Sequence, residues 1–310
     1  MRVPVVPFIP TRPRPRRSPT DLPRPRFISL PRSTSHCISI HDAVSAEPWD
    51  VPGARRAFSC GGTPADCAML GLRVLYPGVR FDLVISGINR GDNAGLHVVY
   101  SGTVAGAREG AMRVDAVGIA VSLCSYSRSA DYAAAAECAA ELAAEIVDAP
   151  ALARALRGRV LNVNVPALPR RDIRGVKLTR PGVSCTQADW VRVARAGEGE
   201  GEGADADADF ADGASELPIP VDGALDEDAA WVKGKRWFRN KPGPARDDRR
   251  EGFDKRAIDD GFVSVSVLGV GFETTFPSGI SAAAGVTAAK DARGIVRALA
   301  DATCAAGAGA

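Results

Sequence analysis

The sequence predicts an α/β fold, a mostly parallel sheet with helices on both faces and a C-terminal β-hairpin extension. Three observations predict it. Apolar runs at 81–86, 117–123 and 160–165 have the length and composition of buried strands. Helical stretches at 65–75, 103–113 and 131–156 alternate with them. A loop dense in Gly and Asn follows the first of these strands, at the edge where open parallel sheets bind ligands.

Taken in order, residues 1–26 read as a disordered Pro/Arg-rich tail. Residues 1–31 hold nine prolines and seven arginines against one acid, Asp21. Order is expected to begin with a short strand at 26–30. Residues 27–190 form the α/β core. Within it Thr63 is placed to cap a helix and Pro64 to occupy its first position. Strand 81–86 is expected to break at Gly87. The Ala-rich stretch 131–156, with acids spaced around it, reads as one or two exposed helices with apolar stripes. A strand at 160–166 ends at Pro166. Residues 191–230 are an acidic insertion loop; between 197 and 230 there are twelve acids and no Lys or Arg. Residues 231–268 complete the domain, with Trp231 and Trp237 resuming order and a half-exposed strand at 261–268. Residues 269–310, rich in Ala and Gly, are expected to be a frayed low-complexity tail.

Composition narrows the function. The net charge of +2 makes no demand for nucleic acid. No run approaches the roughly 18 apolar residues of a membrane span. The seven cysteines are scattered without a Cys-x-x-Cys pair, so neither a zinc site nor a redox motif is expected. A cytoplasmic protein is expected, although the Arg-rich, acid-poor N-terminus shares one trait with transit peptides.

The chemistry lies in Ser86-Gly87-Ile88-Asn89-Arg90-Gly91-Asp92-Asn93-Ala94-Gly95, then Tyr100-Ser101-Gly102-Thr103. Glycines let backbone N–H groups approach an anion closely. Asn89 and Asn93 add neutral oxygens of the kind that ligate a hard cation. Ser101 and Thr103 open a helix whose first N–H groups favour a phosphate. Two readings stand side by side, a phosphate or metal site and plain turn chemistry. The order of residues fits neither the P-loop nor the dinucleotide fingerprint.

The Ser86–Gly95 and Tyr100–Val104 blocks together resemble the signature of the SurE (survival protein E) family of 5′-nucleotidases. Gly62-Thr63-Pro64-Ala65-Asp66-Cys67, Leu161-Asn162-Val163-Asn164-Val165-Pro166, Gly175–Arg180 and Asp259–Val265 resemble further family blocks, in order. The resemblance covers roughly 27–268, and Gly106-Ala107-Arg108-Glu109 with His97 is similar to plant members. It implies a Rossmann-like sheet carrying a metal-dependent phosphomonoesterase that acts on nucleoside monophosphates. The implied cofactor is a divalent cation, Mg or Mn, held by Asn89 and by Ser33, the best stand-in for a family serine ligand. Gly91, Asn93, Ser101, Gly102 and Thr103 would contact the phosphate or substrate. A homo-oligomer, dimer or tetramer, is also implied, with no membrane or nucleic-acid partner.

One departure bears on activity. Family members begin with a strand ending in Asn-Asp-Asp-Gly, whose carboxylates charge the cation site. No such sequence lies near this N-terminus, and prolines at 4, 7 and 10 do not suit a central strand. The first strand is therefore expected to be missing or replaced. This leaves an alternative, a catalytically impaired relative that binds nucleotide or phosphate without turnover. No other residue is singled out as catalytic. His97 is either a general acid or phosphate donor or a structural histidine under the loop. His36 and His41 are not at the i, i+4 spacing of helical metal ligands, and Cys67 reads as packing. Trp231 and Trp237, among Lys233, Lys235, Arg236 and Arg239, read as part of a hairpin arm or as a stacking surface for a nucleotide or RNA.

Overall fold

The computed structural model describes residues 3–5, 36–193, 216–217, 237–270 and 288–307. The expected strand at 26–30, Ser33, most of the acidic loop and Trp231 lie outside these residues. The chain divides into two compact units. One comprises 1–184 with 247–310, and the other Cys185–Arg246.

The larger unit is built on a six-stranded sheet. Its strands are β4 (Leu83–Arg90), β5 (Val117–Cys124), β6 (Arg159–Pro166), β7 (Val176–Thr179), β11 (Val263–Gly269) and β12 (Ala288–Ala289). Their order across the sheet is β12-β7-β11-β6-β5-β4. β4, β5 and β6 run parallel, as do β11 and β7, while β11 is antiparallel to β6 and β12 to β7. The mostly parallel sheet is thus present. Among the described residues β4 is an edge strand with no partner on its outer side. Three short strands, β1 (Val3–Val5), β2 (Ala46–Pro48) and β3 (Phe58–Cys60), form a separate antiparallel sheet. Val3–Val5 are therefore paired, against Phe58–Cys60, within the stretch expected to be a disordered tail.

Helices cover both faces. On one face lie α4 (Ala133–Val147), α5 (Pro150–Ala155) and α7 (Ala292–Gly307). Their apolar stripes, including Leu142, Ile146, Leu152, Ile295 and Leu299, pack on Ile119, Val121, Leu161, Val163 and Val265. On the other face α3 (Gly102–Val114) sets Val104, Ala107 and Ala111 against Ala120, Val160 and Leu268. The helix α1 (Pro64–Leu70) packs beside α3. It starts as expected: Thr63 Oγ1 accepts from Asp66 N, and Asp66 answers by accepting from Thr63 N.

Three expectations are corrected. β4 does not end at Gly87; it runs on to Arg90 with a register shift between Ser86 and Asn89 against β5. Gly87, at φ 130°, takes a backbone conformation that side chains rarely adopt, so the strand bends without breaking. The strand at 261–268 is not half-exposed: β11 lies between β7 and β6 and is buried on both faces. Ser264 and Ser266 satisfied the alternating pattern, but they face other polar side chains instead of water. The C-terminal stretch is not frayed throughout, because α7 buries Ile295 and Leu299 completely. Its Ala content lowered the apparent hydrophobicity while still favouring a helix.

The smaller unit supplies the expected β-hairpin extension. β8 (Cys185–Val193) pairs antiparallel with β10 (Trp237–Arg246), with a bulge between Pro242 and Ala245. β9 (Glu216–Leu217) adds to the outer side of β8. The boundary expected at 190 falls inside β8.

Candidate phosphate site

The site lies where β4 and β5 end and α3 begins. Asn89 is the last residue but one of β4, beyond the register shift. Its Nδ2 donates to the Gly91 carbonyl at 2.9 Å and to the Arg90 carbonyl at 3.3 Å. Its Oδ1 accepts from Thr103 Oγ1 at 3.4 Å. The structure therefore brings Thr103, at the start of α3, to Asn89 and Gly91 at the end of β4. Ser101 caps α3, its Oγ accepting from Val104 N at 3.1 Å. That leaves the Gly102 and Thr103 N–H groups in the first turn without intrahelical partners, as every helix start does.

Asn93 is placed differently from its neighbours. It is almost fully buried. Its N–H donates to Asn164 Oδ1 at 2.8 Å, its Nδ2 donates to Ser122 Oγ at 2.7 Å, and its carbonyl accepts from Asn162 Nδ2 at 2.9 Å. Its backbone N–H and one of its Nδ2 hydrogens are committed to the sheet below. Asn93 is thus the pin that holds the loop down. The sheet surface beneath it is a polar seam formed by Ser122, Asn162, Asn164, Ser264, Ser266 and Thr179, all fully buried. Asn162 Oδ1 and Asn164 Nδ2 lack partners within the described residues.

A second anchor is Asp254, at the start of α6 (Asp254–Asp259) and completely buried. Its Oδ2 accepts from Gly95 N at 2.7 Å, and its Oδ1 accepts from Gly182 N at 3.1 Å and Lys255 N at 2.8 Å. Burial pushes its carboxyl up to about 6, against the pull of these donors. Gly95 is at φ 54°, and a Cβ there would lie against Ser184, 2.8 Å from its nitrogen. The close approach and the left-handed backbone both require glycine.

Beside the loop, Asp92 Oδ1 pairs with His97 Nδ1 at 3.1 Å and accepts from Ala94 N at 3.2 Å. His97 lies in the short helix α2 (His97–Tyr100). The bond to Asp92 raises the His97 imidazole above its usual range, against partial burial. Burial pushes Asp92 up, but the bonds from His97 and Ala94 outweigh it and hold the carboxyl low. His36 is not at this site; its Nε2 pairs with the buried Glu109 at 2.8 Å.

Sequence reasoning overlooked Asp254, Ser122, Asn162 and Asn164 as loop supports. The alternation Leu161-Asn162-Val163-Asn164-Val165 carried the signal. Two amides on one face of a buried strand must find polar partners.

The donor set was tested against a divalent cation. Such an ion takes about six oxygen donors and draws charge from carboxylates. Asn89 Oδ1 is one neutral donor. Asp92, the nearest acid along the chain, is turned to His97 and Ala94. Among the described residues no group of three His, Cys, Asp or Glu gathers to hold an ion. These residues alone do not fit a divalent cation, and Ser33 lies outside them.

A mostly parallel sheet with helices on both faces, a glycine loop at its carboxyl edge and an adjoining helix start define an α/β protein of the Rossmann-like class. Comparison with known proteins makes the class specific. The profile of the family Survival protein SurE matches residues 31–188, just over half of the chain. The chain belongs to the SurE family. A protein described as 5′-nucleotidase SurE from Symbiobacterium thermophilum is 44% identical over 161 residues, 52% of this chain and 60% of that protein. Another so described, from Synechococcus elongatus, is 40% identical over 153 residues, 49% and 56% of the two chains. The matched stretch thus spans about three-fifths of these relatives' length. The crystal structure of the SurE protein from Aquifex aeolicus superposes with a TM-score of 0.50 at 26% identity, covering 76% of this chain and 77% of that one.

Proposed function

We propose that this chain is a phosphomonoesterase acting on nucleoside monophosphates; the divalent cation that the family resemblance implies would need donors beyond the described residues. The observation that carries this reading is the intact edge from Asn89 to Thr103. There the Asn89 amide ties Gly91 to the helix start, and the first-turn N–H groups of α3 are left to receive a phosphoryl oxygen. Fixed donors of this kind, positioned before the substrate arrives, stabilise charge that develops on phosphate oxygens during transfer. Asn93 and Asp254 would orient the loop. In keeping with the family resemblance, the chain is expected to assemble as dimers or tetramers.

The test is release of inorganic phosphate from AMP by the full chain with Mg2+ or Mn2+. Release is expected to fall roughly 10²-fold in Asn89→Ala, the cost typical of removing one such positioned group. No release with either metal defeats the hydrolase reading.

The donor set favours a second reading, binding of nucleoside monophosphate without turnover. Calorimetric binding of AMP by a chain that releases no phosphate would select it. Absence of binding would exclude it.

A further inference from the structure

The ligand-binding edge carries an aromatic ring that neither the glycine loop nor the helix start accounts for. Tyr126 follows the end of β5, and its side chain remains 68% exposed. The ring lies on the backbone of Gly91. A Cβ added to Gly91 would meet the ring edge, 2.8 Å from its Cζ and 3.0 Å from its Cδ1. Gly91 is at φ 95°, so the loop turns a bare backbone toward the ring. The Gly91 carbonyl holds the Asn89 amide, and the Gly91 N–H donates to the Leu123 carbonyl at 2.9 Å. Through Gly91 the ring is thus linked to Asn89 on one side and to the end of β5 on the other.

An exposed aromatic with one side seated on rigid backbone keeps its other side for a ligand. Little conformational freedom remains to be lost when something stacks there. The hydroxyl is protonated at neutral pH, as an ordinary tyrosine is, and partial burial and then the nearby Asp92 push it further up to about 12. The ring is therefore a neutral stacking surface beside an anion cradle. That combination matches a nucleoside monophosphate, whose phosphate and base are joined by one ribose.

We propose that Tyr126, seated on Gly91, is the stacking platform for the base of the bound nucleoside monophosphate. The assignment rests on the function proposed above and names the part of the substrate that the cradle leaves unrecognised. A purine presents more stacking surface than a pyrimidine, so AMP and GMP are favoured over CMP and UMP.

The experiment is calorimetric titration of the full chain, with Mg2+ present, by AMP, ribose 5-phosphate and inorganic phosphate. Stacking of one base is expected to make AMP bind about tenfold tighter than ribose 5-phosphate. Tyr126→Phe is expected to keep this ratio, and Tyr126→Ala to bring it close to one. If Tyr126→Ala weakens all three ligands together and keeps the ratio, the ring only supports the Gly91 loop and the proposal is overturned. A native ratio close to one also overturns it. If none of the three binds, the phosphate cradle itself fails and the platform fails with it. If both phosphates bind but AMP gains nothing from its base, only the platform is lost.

Discussion

The pair Asp92–His97 sits where the glycine loop turns into α2, and its charges are expected to make the loop pH-sensitive. His97 titrates above its usual range and Asp92 below its own. The ion pair stabilises the fold when both are charged. On the acid side, stability from Asp92 is lost as pH falls through its lowered value. On the alkaline side, stability from His97 is complete below its unperturbed value near 6.5 and is lost as pH rises through its raised one. Between those limits the native chain should exceed Asp92→Asn in stability by about 1 kcal/mol, with the gap closing on both sides. Thermal melts of the two proteins across pH read this directly. A gap that does not change with pH contradicts the pairing.

At the scale of elements, the glycine loop is held from below and from the side. Asn93 fixes it to the polar seam, and Asp254 ties Gly95 to Gly182. Gly95→Ala adds a methyl group against Ser184 and forces a side chain into φ 54°. It should cost roughly 1–3 kcal/mol in urea denaturation, and should weaken AMP binding together with stability. A variant as stable as the native chain would show that the loop is less constrained than its contacts imply. Much of this was legible beforehand. The Thr63 cap, the buried runs of β5 and β6, and the loop followed by a helix start could all be read from spacing. The supports could not. Asp254 lies far along the chain from Gly95, and a single Asp before a short helix looks like any other start. The bonds from Asn93 to Asn164 and Ser122 could not be read from spacing either, because they depend on the register of β5 and β6. The serines of β11 read as solvent-facing because alternation records polarity and not what the polar side meets. Tyr126 gave no signal, since its role depends on Gly91 being bare.

At the scale of the whole molecule, the larger unit draws part of its core from beyond the matched region. α7 lies outside residues 31–188 yet places Ile295 and Leu299 at full burial against α4, α5 and the sheet. Leu299→Ala should therefore cost about 2–5 kcal/mol in urea denaturation, as for other buried leucines. A cost below about 0.5 kcal/mol, the range of surface changes, would mean that α7 is not part of the core. No described helix is long and apolar enough to cross a membrane. The polar seam of Ser122, Asn162, Asn164, Thr179, Ser264 and Ser266 has a consequence of its own for this unit. Exposing apolar surface on unfolding raises the heat capacity, whereas exposing polar surface lowers it. A sheet that hides six polar side chains under its ligand edge therefore unfolds with a smaller heat-capacity increment than an apolar interior of the same size. Its stability curve is correspondingly flatter with temperature.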